Sequence, residues 1–190
     1  MNIRPLSVAG SFLVTPQVHT DGRGEFVEWF RADLLRDATG IDFSVLQANL
    51  SVSARGTLRG IHFADVPPGQ AKYVMCSTGS IRDYVVDIRS GSPTYGQWEA
   101  VTISAAERNA IVLDVGLGHA FLALEGNTTV TYLVTDHYKP QSEHAISPLD
   151  QEIALEFPLD RAELLLSEKD TAAPGLREAA QSGLLPTWQG

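Results

Sequence analysis

The sequence predicts an all-β fold, a sandwich or barrel with short flanking helices, and three observations carry that expectation. Short runs rich in Val, Ile, Phe and Tyr recur at fairly even spacing, clusters of Gly, Pro, Asp and Ser punctuate them, and helical signal is confined to two brief stretches. In chain order, the strand and turn pattern begins near residue 12, and the first helical stretch covers 32–38. Strands follow around 58–62 and through the apolar run Tyr73-Val74-Met75-Cys76. The run 84–88 is next, stopped by Arg89-Ser90-Gly91-Ser92-Pro93. Further strands are expected at 98–103, 110–113, 120–124 and 128–135, with Gly116-Leu117-Gly118 and Glu125-Gly126-Asn127 as turns. The second helical stretch covers 172–182, where Gly183 closes it. At 190 residues the chain suits one domain, 1–190, with a tail from about residue 160 packing on the strands.

Charge narrows the partners. The balance of 14 basic against 23 acidic residues gives a formal net charge of −9, and no block of Lys or Arg stands out. Nucleic acid and anionic membranes are poorly matched to such a surface, whereas a few cations focused in a cleft still suit a small anionic ligand. The single cysteine, Cys76, lies in an apolar run and reads as a small core hydrophobe, not a thiol nucleophile. The N-terminus lacks a long apolar stretch with a small-residue cleavage site, and no run is apolar enough to span a bilayer. Cytoplasm is the expected compartment.

The densest chemistry lies between Gln47 and Lys72, where Gln47-Ala48-Asn49-Leu50-Ser51 precedes Leu58-Arg59-Gly60-Ile61-His62-Phe63 and Gly69-Gln70-Ala71-Lys72-Tyr73. Period-2 alternation on a strand sends Arg59 and Ile61 to one face, Gly60 and His62 to the other. Arg59 offers a planar charged fork suited to phosphate, His62 exchanges a proton near neutrality, and Lys72 is a compact cation for a developing oxyanion. These are the tools of proton chemistry beside a carbonyl.

The same blocks, with Asp21-Gly22-Arg23-Gly24-Glu25-Phe26, Asp83-Tyr84-Val85-Val86-Asp87-Ile88-Arg89, Gly91-Ser92-Pro93-Thr94-Tyr95-Gly96, Gly118-His119-Ala120-Phe121 and Glu143-His144, carry a family resemblance. The chain resembles the cupin-fold dTDP-4-dehydrorhamnose 3,5-epimerases, which act on nucleotide-linked 4-keto-6-deoxy sugars. The match runs nearly end to end and includes the tail blocks Leu166-Ser167-Glu168-Lys169-Asp170 and Gly183-Leu184-Leu185-Pro186-Thr187. The resemblance implies a double-stranded β-helix jelly roll and a dTDP-4-keto-6-deoxy sugar as substrate. It also implies a homodimer with an N-terminal strand contributing across the interface, and no cofactor. The residues support the last point independently. Metal-binding cupins present a His-x-His pair, whereas Phe63 and Ala64 follow His62, and a pairing with distant His119 makes a weak metal site.

Roles follow from the resemblance. His62 corresponds to the base, and a positioned imidazole is worth about 10² to 10⁴ in rate. Asp170 resembles the carboxylate that orients it, Tyr132 the acid on the opposite face, and Lys72 the group that stabilises the enolate. Taken alone, these would read as a surface aspartate, an inward-facing aromatic and a solvated lysine. Arg23 and Arg59 match positions that grip the pyrophosphate. Phe26, Glu28, Gln47, Asn49 and Tyr138 correspond to nucleotide-binding positions, with Tyr138 stacking on the thymine ring. His119, Glu143 and Lys169 correspond to further substrate contacts, and Asp83 to a partner for His119 or the sugar.

Family members epimerise carbon 3, carbon 5 or both, and the shared motifs do not choose among them. A mono-epimerase is the nearest alternative. A non-catalytic sugar-nucleotide-binding cupin would keep Arg23 and Arg59 but lose His62 or Tyr132, and both are present. A metal-dependent cupin lacks its His-x-His pair here, and a 3,4-ketoisomerase fits the Arg59 to His62 and Gln70 to Lys72 blocks less well. Glu156-Phe157-Pro158 and Asp114-Val115-Gly116 depart from the family pattern, away from the catalytic positions, and hint at a member that serves a secondary-metabolite deoxysugar.

Overall fold

The computed structural model describes residues 1–189. Its strands are β1 (Asn2–Pro5), β2 (Ser11–Thr15), β3 (Val18–Asp21) and β4 (Gly24–Val27), followed by the helix α1 (Ala32–Thr39). There follow β5 (Gln47–Ser53), β6 (Leu58–Ala64), β7 (Lys72–Thr78), β8 (Ser80–Val86) and β9 (Trp98–Ser104). Then come β10 (Ala110–Leu113), β11 (Gly118–Ala123), β12 (Thr128–Val134), β13 (Glu143–Ala145) and the helices α2 (Glu168–Thr171) and α3 (Leu176–Gln181).

Two antiparallel sheets face each other. One runs in the order β1-β2-β10-β7-β12-β5 and the other β13-β6-β11-β8-β9, while β3 and β4 pair only with one another. From β5 onward the chain crosses between sheets at nearly every step, which is the double-stranded β-helix jelly roll with short flanking helices. Val74, Cys76, Ile81, Val85, Ile103 and Val130 from both sheets fill the layer between them. Alternation then sends Tyr73 outward onto Leu35, Phe43 and Phe30, so β7 is buried on both faces and reads as a continuous apolar run. The outer face of the second sheet carries Leu58, Ile61, Phe63 and Tyr84, and the C-terminal residues Leu164, Leu166, Leu176 and Ala179 cover it.

Three local expectations are corrected. The helical stretch 172–182 shrinks to α3, because Pro174 disfavours helical backbone before it and Gly175 caps the helix, while the short α2 precedes that stretch and was not expected. The run 84–88 stops as a strand at Val86, because Asp87 turns in to accept hydrogen bonds from Arg89, Ser92 and Thr94. The third correction reaches the site. Arg59 and His62 face the same side of β6, while Leu58, Ile61 and Phe63 pack together on the other. Register explains it: Phe121 lies opposite Arg59 and His119 opposite His62, so three steps on β6 match two on β11. The extra residue is a bulge at Gly60, whose φ is +112°. A Cβ built there would stand 2.4 Å from the His119 carbonyl oxygen, so only glycine fits.

Candidate active site

One end of the space between the sheets is polar. From the first sheet β5 sends in Gln47, Asn49 and Ser51, β7 sends Lys72 and β12 sends Tyr132. From the second, β6 contributes Arg59 and His62, β11 contributes His119 and β13 contributes Glu143. Gln70 and Tyr138 enter from loops, and Ser167, Lys169 and Asp170 come from α2 and its cap. The result is a cleft of about 400 Å³ joined to an inner chamber of about 160 Å³, the two sharing Arg59, His62, Lys72 and Tyr132.

His62 Nε2 donates to Asp170 Oδ1 at 2.7 Å. A carboxylate only accepts, so this bond leaves Nδ1 as the basic nitrogen. Asp170 is buried, and burial acts to raise its carboxyl. The His62 hydrogen bond and charge, the Ser167 hydroxyl and the Gly60 N–H outweigh that and hold it below the usual aspartate range. Asp170 therefore stays ionised throughout neutral pH. Ser167 caps α2 by accepting from the Asp170 N–H at 3.1 Å, which fixes the carboxylate over β6.

A second imidazole is held in the same way. His119 Nε2 donates to both oxygens of Asp83, at 3.0 and 2.9 Å. Asp83 is fully buried, and burial pushes its carboxyl up, against the pull of His119 and Lys72. Lys72 is only 8 % exposed, which excludes a solvated surface lysine. Burial pushes its ammonium down from the usual lysine value, while Glu143 and Asp83 draw it back up. Burial likewise raises the Tyr132 hydroxyl, with Arg59 opposing and Glu143 adding, so the phenol keeps its proton at neutral pH. The cleft thus joins a buried cation, a protonated phenol and a base with a fixed tautomer.

Not every expected residue meets here. Arg23, Phe26 and Glu28 lie outside the cleft of the single chain, on or just after the β3–β4 hairpin. Arg23 bonds its own neighbour Asp21 at 2.6 Å, Glu28 pairs with Arg31, and Phe26 is 69 % exposed. The hairpin pairs with no other strand, so nothing in the sheet order turns it toward the cleft. Conversely, Gln70, Ser51 and Ser167 line the cleft or chamber although sequence reasoning gave them no role. The Ser-x-x-Asp cap pattern at Ser167 and Asp170 was the one available signal. Among the described residues no three His, Cys, Asp or Glu side chains assemble as metal ligands. No helix among them is long and apolar enough to cross a membrane.

Comparison with known proteins agrees with this geometry. Residues 5–178 match the family model described as dTDP-4-dehydrorhamnose 3,5-epimerase. A protein of that name from Mycolicibacterium smegmatis is 52 % identical over 188 residues, covering 99 % of this chain and 92 % of the relative. Among solved structures, the rmlC epimerase of Mycobacterium tuberculosis superposes with a TM-score of 0.97 at 47 % identity, covering 100 % of this chain and 95 % of that one. ChmJ, a 3'-monoepimerase from Streptomyces bikiniensis solved in complex with dTDP-quinovose, superposes with a TM-score of 0.93 at 48 % identity, covering 97 % and 93 %. A histidine–carboxylate dyad, an inward lysine and tyrosine between two facing sheets, and near full-length likeness lead to one conclusion: the chain belongs to the dTDP-4-dehydrorhamnose 3,5-epimerase family.

Proposed function

We propose that this chain is an isomerase that epimerises a dTDP-linked 4-keto-6-deoxy hexose at carbon 3, carbon 5 or both. The observation that carries the reading is the convergence of the His62–Asp170 dyad, Lys72 and Tyr132 on one cleft from separate strands and a helix. The ketone at carbon 4 acidifies the hydrogens on its neighbours. His62 Nδ1 removes one of them, the electron pair moves into the carbonyl as an enolate oxygen, and the Lys72 ammonium stabilises that charge as it develops. Tyr132 returns a proton to the carbon from the opposite face, and solvent exchange restores both side chains. Protons move and no electrons are lost, so the step needs no redox cofactor.

Arg59 is the cleft's candidate for the pyrophosphate, and Gln47, Asn49 and Tyr138 for the thymine end. His119, Glu143 and Lys169 take the remaining sugar contacts. The hairpin residues Arg23, Phe26 and Glu28 serve a neighbouring cleft in a homodimer. Edge strand β5 supports that arrangement, with Leu50 and Val52 exposed on its outer face beside exposed Val45 and Leu46. A soluble nucleotide sugar as substrate supports the cytoplasm as the enzyme's compartment.

The test is NMR of dTDP-4-keto-6-deoxyglucose in heavy water with the protein. Deuterium entry at both carbons marks a 3,5-epimerase and at one carbon a mono-epimerase; no entry anywhere sinks the enzymatic reading. Tyr132→Phe separates the two half-reactions. It is expected to keep deuterium exchange at the substrate carbon while inverted product falls by about 10²-fold, the worth of a positioned acid. Equal loss of exchange and product would remove Tyr132 from the acid role. For Asp170→Asn we expect kcat to fall on the order of 10²-fold and the acid limb of the pH profile to move to lower pH, since the imidazolium loses its counter-charge. An unmoved acid limb would mean that Asp170 only supports the fold.

A further inference from the structure

Among the described residues, Ser51 Oγ is the only buried side-chain nitrogen or oxygen without a hydrogen-bond partner. Its neighbours on the same face of β5 are engaged. Ser53 Oγ accepts from Arg59 Nε at 3.3 Å, and Asn49 Oδ1 accepts from Gln47 Nε2 at 2.7 Å. Leaving a buried hydroxyl unpaired costs the folded state its desolvation without return, so such a group in a chamber wall implies an absent partner. Ser51 lines the inner chamber beside the apolar Phe121 and Val130, where His62 and His119 are already committed to carboxylates. No hydrogen bond holds its oxygen in place, so a turn between staggered χ1 wells breaks none.

We propose that Ser51 is a specificity-determining residue that takes the carbon-2 hydroxyl of the sugar. The inference rests on the epimerase reading above. In a 4-keto-6-deoxy hexose joined to a diphosphate through carbon 1, free hydroxyls remain only at carbons 2 and 3. The hydroxyl on carbon 3 changes face when that carbon inverts, so a fixed wall group cannot follow it through the reaction. The one on carbon 2 stays put. It is also one carbon from the diphosphate end of the sugar, and Ser51 shares the inner chamber with the phosphate candidate Arg59.

The experiment compares Ser51→Ala with the unaltered protein on dTDP-4-keto-6-deoxyglucose and on its 2-deoxy analogue, with thermal melting as the folding control. The expected result is a loss of about 10-fold in kcat/KM on the 2-hydroxy sugar and none on the 2-deoxy sugar. Equal losses on both, or none on either, overturn the assignment. If the unaltered protein turns over neither sugar, the epimerase reading itself falls and takes this inference with it.

Discussion

Asparagine in place of His62 is expected to lower kcat about 10³-fold, within the range a positioned base contributes, while dTDP affinity stays within about threefold. His62 is the group in the cleft whose ring nitrogen is freed by a fixed partner: the Nε2 bond of 2.7 Å to Asp170 occupies one nitrogen and leaves the other basic. Asparagine retains a donor toward Asp170 and fits without overpacking, so the fold is spared and the proton acceptor alone is lost. Deuterium wash-in at the substrate carbons reads the effect directly, and isothermal titration with dTDP reads the control. Retained wash-in would transfer the base to another residue, with His119 the next candidate because it lies directly opposite on β11.

Alanine at position 60 is expected to destabilise the protein on the order of 3 kcal/mol and to cost activity as well. The added Cβ meets the His119 carbonyl oxygen at 2.4 Å and the Ala120 Cα at 2.7 Å, both backbone, so no side chain can swing aside. The positive φ of +112° is a second penalty for any residue with a Cβ. Relief requires β6 and β11 to part, which moves Arg59 and His62 together and withdraws the Gly60 N–H from Asp170. Urea unfolding measures the first effect and kcat the second. An unchanged midpoint would show that the bulge yields easily and does not fix the site.

Gly60 also shows where sequence reading stops. The strand run from Leu58, the charges at Arg59 and Lys72 and the histidine were all visible in the sequence, as were the apolar run of β7 and the strand β12, whereas β5 was not anticipated as a strand. Alternation failed on β6 because one inserted residue changes the facing of everything after it, and a lone glycine does not announce whether it bends a strand or fills one. Asp170 could be placed only by resemblance, since its partner lies 108 residues away and local spacing carries no such information. The tail helix was too long in the sequence reading because helical composition outweighed Pro174 and Gly175. Ser51 was hidden for another reason: a serine in a polar strand is ordinary, and only its lack of a partner in the folded chain sets it apart.

The distance along the chain between His62 and Asp170 has a consequence for biosynthesis. During translation the base is made 108 residues before the carboxylate that orients it. Every strand of both sheets, down to Ala145, precedes that carboxylate in the chain. A nascent chain that has finished its strands still holds a histidine with an undirected ring. Full-rate turnover by this protein therefore reports that translation has passed residue 170 and that the tail has docked.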